Sequence, residues 1–235
     1  MFAAFLSTLC ASLLSICVTA LSAFSVTIIF RTSTTANFAQ GSVAAFGCYV
    51  VAKCLNQWGI PVYLGVLPGM LVGVLIGLFI DLMVFRKGRY VGELGKQIIT
   101  MGFVSLFYGG IPLIFGNPEF IPFESFYNTT KAGVDSNLVV KAFGGEIVFT
   151  KHALICTAIT AVVLAVLFLL LKYSKWGLGV RATASSEFTA ELMGINTHVI
   201  TAISWALACA LGVLAAVMYA GGGAMISTSF MGTIQ

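Results

Sequence analysis

The sequence predicts an all-α, polytopic transmembrane helical bundle, and three observations carry that prediction. Hydrophobic residues make up 59% of the 235-residue chain, and its mean hydropathy is +1.03. Several apolar runs reach the roughly 20 residues that a helix needs to cross a hydrocarbon core. Charged residues are only 9% of the total and gather in the intervals between those runs. Residues 1–235 therefore read as a single transmembrane domain of about six spans.

The first span, within 2–30, lacks the basic segment that precedes the apolar region of a leader peptide and is longer than such a region, so it reads as a retained span ending at Arg31. The second occupies 37–54 and opens on the polar run Asn37 to Gly41. The third, 62–85, carries Gly65, Gly69, Gly73 and Gly77 at intervals of one helical turn, a flat stripe for close helix packing, with a bend expected at Pro68. Arg86, Lys87, Arg89 and Lys96, offset by Glu93, mark the next loop as cytoplasmic, so this span runs inward and the fourth, 98–115, returns outward. The connection 116–151 sets Glu119, Glu124, Asp135 and Glu146 against Lys131, Lys141 and Lys151 and is assigned to the outside. A small hairpin is expected there around Gly144 and Gly145. The fifth span, 152–171, leads to a cytoplasmic loop, 172–198, and the sixth, 199–220, runs outward to a glycine cluster. Counting back places Met1 outside and Arg31 inside, and every basic cluster agrees with that one orientation.

Several function classes are excluded or disfavoured by what the residues offer. The spans leave no room for a nucleotide-binding domain and no GxxxxGK[ST] run occurs, so any ATP chemistry belongs to another chain. The net charge of +4 sits in short loops and reports topology, not nucleic-acid binding. The six cysteines fall in apolar runs without CxxC spacing and read as packing residues, not metal ligands or a disulfide framework. No His, Asp or Ser cluster has catalytic spacing. Asp81 is the one carboxylate well inside a span; pairing with Arg86 or Lys87 is favoured over a role in proton coupling. His152 and His198 are expected at opposite ends of the fifth and sixth spans, both interfacial.

The run GVRATASSEFTAELMGIN, ending at Asn196, resembles the cytoplasmic loop of ABC importer permeases, above all the branched-chain amino acid subfamily, through its Ala-x-x-x-Gly-Ile core at Ala190, Gly194 and Ile195. The resemblance implies a short coupling helix seated in a cleft of an ATPase subunit, with Arg181, Ser186, Glu187, Ala190, Glu191, Gly194 and Ile195 as the coupling residues. Glu187 and Glu191 share one helical face at i,i+4. A second run, NFAQGSVAAFGCY from Asn37 to Tyr49, is similar to the Asn-Phe-Ala-(His/Gln)-Gly signature that opens the second span in the same subfamily. A helix beginning there, near or within the membrane, makes the second span discontinuous. Its free N–H groups and positive dipole end would face the pathway, which makes Asn37, Phe38, Gln40 and Gly41 substrate-pathway candidates. The alternative is that Asn37 caps the helix and Gln40 ties two helices together.

The implied protein is the permease subunit of an ATP-driven importer for branched-chain or related amino acids, in the bacterial cytoplasmic (inner) membrane. It binds no cofactor itself, because ATP is used by the partner subunit. The implied partners are ABC ATPase subunits, a second permease subunit (homologue or self) and an extracytoplasmic substrate-binding protein, with the lipid bilayer around them and no nucleic acid. The alternatives are a permease for urea, amides or sugars, or a partner-independent channel or secondary transporter. Arg31 and Ser22-Ala23-Phe24 depart from the subfamily pattern in the first span, which bears on cargo and not on the coupling loop. Ending at Gln235 just after a glycine cluster, the chain reads as cut short.

Overall fold

The computed structural model describes residues 2–33, 35–86, 91–116, 123, 137–142, 145–223 and 226. The expected all-α membrane bundle is what it shows: α1 (Phe2–Ser33), α2 (Gln40–Trp58), α3 (Val62–Ile80) continued by a π-helical turn (Asp81–Arg86), α4 (Glu93–Phe115), α5 (Lys151–Tyr173), α6 (Lys175–Ser185), α7 (Glu187–Leu192) and α8 (Thr197–Gly221). Two short strands, β1 (Asn137–Ala142) and β2 (Gly145–Thr150), pair antiparallel between α4 and α5, with Asn137 opposite Thr150. Gly144 at the expected hairpin turn, Lys87 and Arg89 of the basic loop, and Glu119, Glu124, Lys131 and Asp135 of the long connection lie outside the described residues.

Among the described residues, five helices are long and apolar enough to cross a membrane: Ser12–Ser33, Val62–Met83, Glu93–Phe115, Lys151–Tyr173 and Thr197–Gly221. The chain is a multi-pass membrane protein. The helix at the expected second span, α2, is less apolar, because Gln40, Lys53, Asn56 and Gln57 interrupt it. Gln40 is buried at its start, whereas Lys53, Asn56 and Gln57 are exposed in its last two turns; between them the helix packs against α3 and α8.

The centre of the bundle is α8, which α1, α2 and α3 all touch. Hydrocarbon tails give apolar helices no solvent-driven reason to associate, so the fit depends on how closely backbones approach. The glycine stripe of α3 supplies that approach. A Cβ on Gly73 would stand 2.8 Å from Val213 Cγ2, and one on Gly77 would stand 2.8 Å from Cys209 Sγ and 3.0 Å from the Trp205 carbonyl oxygen. Stepping from Gly77 to Gly69 along α3 moves the contact from Trp205 to Val213 along α8, so the two helices run antiparallel. At Gly69 the stripe also meets Val51 and Gly47 of α2, which makes it a shared seam for three helices. On the other side of α2, Phe46 packs edge-on against Phe107 and Phe115 of α4 at centroid separations of 5.6 and 5.4 Å.

The packing sets two glycines apart. Gly77→Val should destabilise the purified protein by about 1–3 kcal/mol, the range for overpacking a filled core. Gly65→Ala should be tolerated, since its new Cβ would meet Val51 Cγ1 at 3.5 Å, an ordinary contact. Thermal unfolding in detergent micelles checks this, and equal melting temperatures for the two variants would refute the shared seam.

Candidate functional site

The loop between α5 and α8 folds as two helices held by three side-chain caps. Ser174 caps α6, its Oγ accepting from the Gly177 N–H at 3.0 Å. Ser186 caps α7, accepting from the Thr189 N–H at 3.2 Å, and Asn196 caps α8, accepting from the Val199 N–H at 3.3 Å. Each cap satisfies one of the donors that a helix start leaves open. The end of α7 is a Schellman motif: the Ile195 N–H reaches the Ala190 carbonyl at 3.0 Å and the Gly194 N–H reaches that of Glu191 at 2.9 Å. Gly194 takes φ +81, a left-handed conformation that explains why glycine stands in this motif.

The expected coupling residues divide between two faces. Ala190 is buried toward the bundle, while Glu187 and Glu191 line a pocket on the inner side of α7. Glu191 Oε1 accepts a 2.8 Å hydrogen bond from Thr197 Oγ1, which pins α7 to the first residue of α8. Arg181 is exposed and reaches back to the Lys172 carbonyl at 3.4 Å. Gly194 is exposed and Ile195 and Ser186 are half-buried. The outward face belongs to residues that the motif did not nominate: Phe188, Leu192 and Met193 are 71%, 72% and 79% exposed. Their spacing along α7, apolar side chains a turn apart in a charged loop, was the signal for them.

The second candidate region lies deep in the bundle. From Thr197 to Ala208, α8 rises about 16 Å, roughly half the thickness of a hydrocarbon core. Gln40, the first residue of α2, sits at that level and donates from Nε2 to the Ala208 carbonyl at 2.7 Å. The same nitrogen is 3.4 Å from Ser25 Oγ on α1. Oε1 of Gln40 accepts from Asn37 Nδ2 at 3.3 Å, and the Cys209 thiol lies 3.8 Å away. Asn37 also folds the chain locally, its Oδ1 accepting from the Ala39 N–H at 3.0 Å. Gln40 thus ties α1, α2 and α8 together, while Asn37 stands before the cap position that Ala39 occupies. No side chain caps α2. Gly41 is buried and Phe38 is exposed.

The pocket under α7 holds about 350 Å³ and joins that helix to the ends of α1 and α3. Asp81, at the start of the π-helical turn, lies in its wall with His198, Thr201 and Thr32. Asp81 is 1% exposed and its Oδ2 has no hydrogen-bond partner. The expected pairing with Arg86 or Lys87 is not seen as a contact: Arg86 is exposed and acts on Asp81 through charge alone, and Lys87 lies outside the described residues. The histidines lie at opposite ends of α5 and α8, as expected; His152, the second residue of α5, is buried there with Nε2 3.0 Å from the Met218 carbonyl oxygen.

Residues 8–235 match the family model described as the branched-chain amino acid transport system / permease component. A protein of Methanocaldococcus jannaschii named as a probable branched-chain amino acid transport permease protein LivH is 28% identical over 197 residues, covering 80% of this chain and 58% of its own length. The chain thus spans less than two thirds of that curated relative. No solved structure gave a significant match. The chain belongs to the branched-chain amino acid transport permease family.

The Gln40 node yields a sharp expectation. Gln40→Ala leaves the Ala208 carbonyl and the Asn37 amide without their partner in a water-poor interior, and should cost about 1–3 kcal/mol of stability. Thermal unfolding beside Gln40→Glu, which also loses the Nε2 donor, checks it; an unchanged melting temperature for both would refute the node.

Proposed function

We propose that this member of the permease family is the membrane-spanning subunit of an ATP-driven ABC importer, moving branched-chain or related amino acids across the cytoplasmic membrane by alternating access. The observation that carries this reading is the outward face of α7. Three large apolar side chains, Phe188, Leu192 and Met193, stand exposed on a capped helix that lies between two spans and not within one. Such a cluster fits a protein partner. The partner is an ATPase subunit that receives α7 in a surface cleft.

The geometry supports a lever. The Glu191–Thr197 bond and the Schellman turn make α7 and the start of α8 one stiff corner. Closure of the ATPase dimer pushes this corner, and α8 transmits the displacement to the helices around it, biasing a pre-existing equilibrium between two arrangements. At mid-depth, the uncapped start of α2 directs backbone N–H groups and a positive dipole end toward a passing carboxylate, with Phe38 beside it. The chain's β-hairpin end faces outward in this orientation, toward an extracytoplasmic binding protein, and the exposed apolar faces of α3 and α4 serve a second permease subunit and lipid. The N-terminus is extracytoplasmic.

In proteoliposomes containing permease, ATPase and binding protein, Gly194→Val should lower ATP-dependent uptake about tenfold or more with ATP hydrolysis retained, because a β-branched residue resists the left-handed conformation by roughly 1–2 kcal/mol. Normal coupled uptake would sink the lever. Leu192→Asp should abolish co-purification of the ATPase, and an undiminished complex would remove the docking face. Labelled leucine should be displaced by isoleucine and valine but not by urea or a sugar; displacement by urea would reassign the cargo.

A further inference from the structure

The elbow between α5 and α6 gathers cations without a counter-charge. From Lys151 to Ser186 the chain has no Asp or Glu, and Lys172, Lys175 and Arg181 all stand exposed within that stretch. Among the described residues, none of the three meets a carboxylate. Glu119, Glu124, Asp135 and Glu146 belong to the connection that enters α5 from its opposite end. Arg181 is tied to α5: its Nη2 donates to the Lys172 carbonyl oxygen at 3.4 Å, which leaves most of the guanidinium fork open. Close packing fixes the turn itself. Ser174 caps α6, and a Cβ on Gly177 would collide with the Leu171 carbonyl oxygen, so the start of α6 lies directly against the end of α5. The backbone therefore sets where the three cations emerge.

Two faces decide which anion fits them. On α5, Val162, Val166, Leu169 and Tyr173 are exposed at helical spacing, a stripe that follows a membrane span and ends beside Lys172. On α6, Lys175, Leu178 and Arg181 share the exposed face at intervals of three, while Gly177, Val180 and Thr183 are buried. A leucine exposed between two cations suits the level where acyl chains meet headgroups, as does a tyrosine at the end of a span. We infer that this elbow binds an anionic phospholipid, its phosphate between Arg181 and the two lysines and an acyl chain along the α5 stripe. The guanidinium fork and the ammonium groups donate to the phosphate oxygens. The inference needs only that α5 spans the membrane, and it goes beyond the ATP-driven reading; in the proposed orientation the leaflet is the cytoplasmic one. So bound, the lipid holds α6 at the membrane surface, and only Ser186 separates α6 from α7.

The test exposes the purified full-length permease in detergent to equimolar phosphatidylglycerol and phosphatidylcholine and counts retained lipids by native mass spectrometry. Phosphatidylglycerol should be retained over phosphatidylcholine by at least about tenfold, and replacing Lys172, Lys175 and Arg181 together by Gln should bring the ratio to within about twofold of unity. Lys175→Gln alone should lower it about fivefold, which keeps the test open if the triple variant does not fold. The control is Lys53→Gln, a cation at the other end of the bundle beside Phe115, which should leave the preference in place. An unchanged ratio in the triple variant overturns the site, and an equal fall in Lys53→Gln reduces it to diffuse net charge. Displacement of the lipid by inorganic phosphate would assign the elbow to a free anion and overturn the phospholipid. If the triple variant instead loses affinity for the ATPase subunit with its lipid ratio intact, the patch belongs to that protein and the inference falls.

Discussion

Everything else in the bundle depends on backbones approaching closely around α8. In lipid, an apolar side chain gains nothing by leaving one hydrocarbon environment for another, so helix association rests on van der Waals fit and on the few polar groups that must find partners inside. The stripe at Gly69, Gly73 and Gly77 lets α3 sit directly on the α8 backbone, and Ala208, Cys209, Ala215 and Ala216 keep the α8 surface low around its circumference. With α3 that close, Val51 and Gly47 of α2 fall into the same seam, and the position of α2 is decided by the two helices it touches.

That seam explains how a glutamine can sit at mid-depth. Gln40 at the start of α2 has both amide atoms engaged, and the carbonyl it meets belongs to α8. A polar side chain there holds three helices in register. The same helix that receives Gln40 at Ala208 receives Glu191 at Thr197, so the deep node and the peripheral corner are two attachments on one rod.

The fold was legible where the signal was periodic or local. Glycines one turn apart announced the α3 face, Ser186 and the Ala190-Gly194-Ile195 run announced α7, and paired β-prone stretches announced the hairpin. The departures arose where three-dimensional company overrides the chain's own character. Helix α2 can begin on Gln40 because α1 and α8 partner its amide, while its Lys53, Asn56 and Gln57 are exposed. Ala190 resembles a contact residue in sequence, yet the turn of α7 points it inward and turns Phe188, Leu192 and Met193 out. Asp81 had charged neighbours along the chain, but its surroundings come from α1, α7 and α8, distant segments that no local pattern joins to it.

Gly212 carries a consequence for inheritance. A Cβ at that position would stand 2.7 Å from Gln40 Nε2 and 3.3 Å from the Ala44 Cβ, so the glutamine is accommodated by a missing side chain far away in the sequence. Neither position is free to drift alone: a larger residue at 212 expels the amide, and a smaller residue at 40 leaves a void beside Gly212. Lineages of this permease should therefore exchange the two residues as a pair, with glutamine beside glycine or a short apolar side chain beside alanine, and mixed combinations should be rare among their descendants.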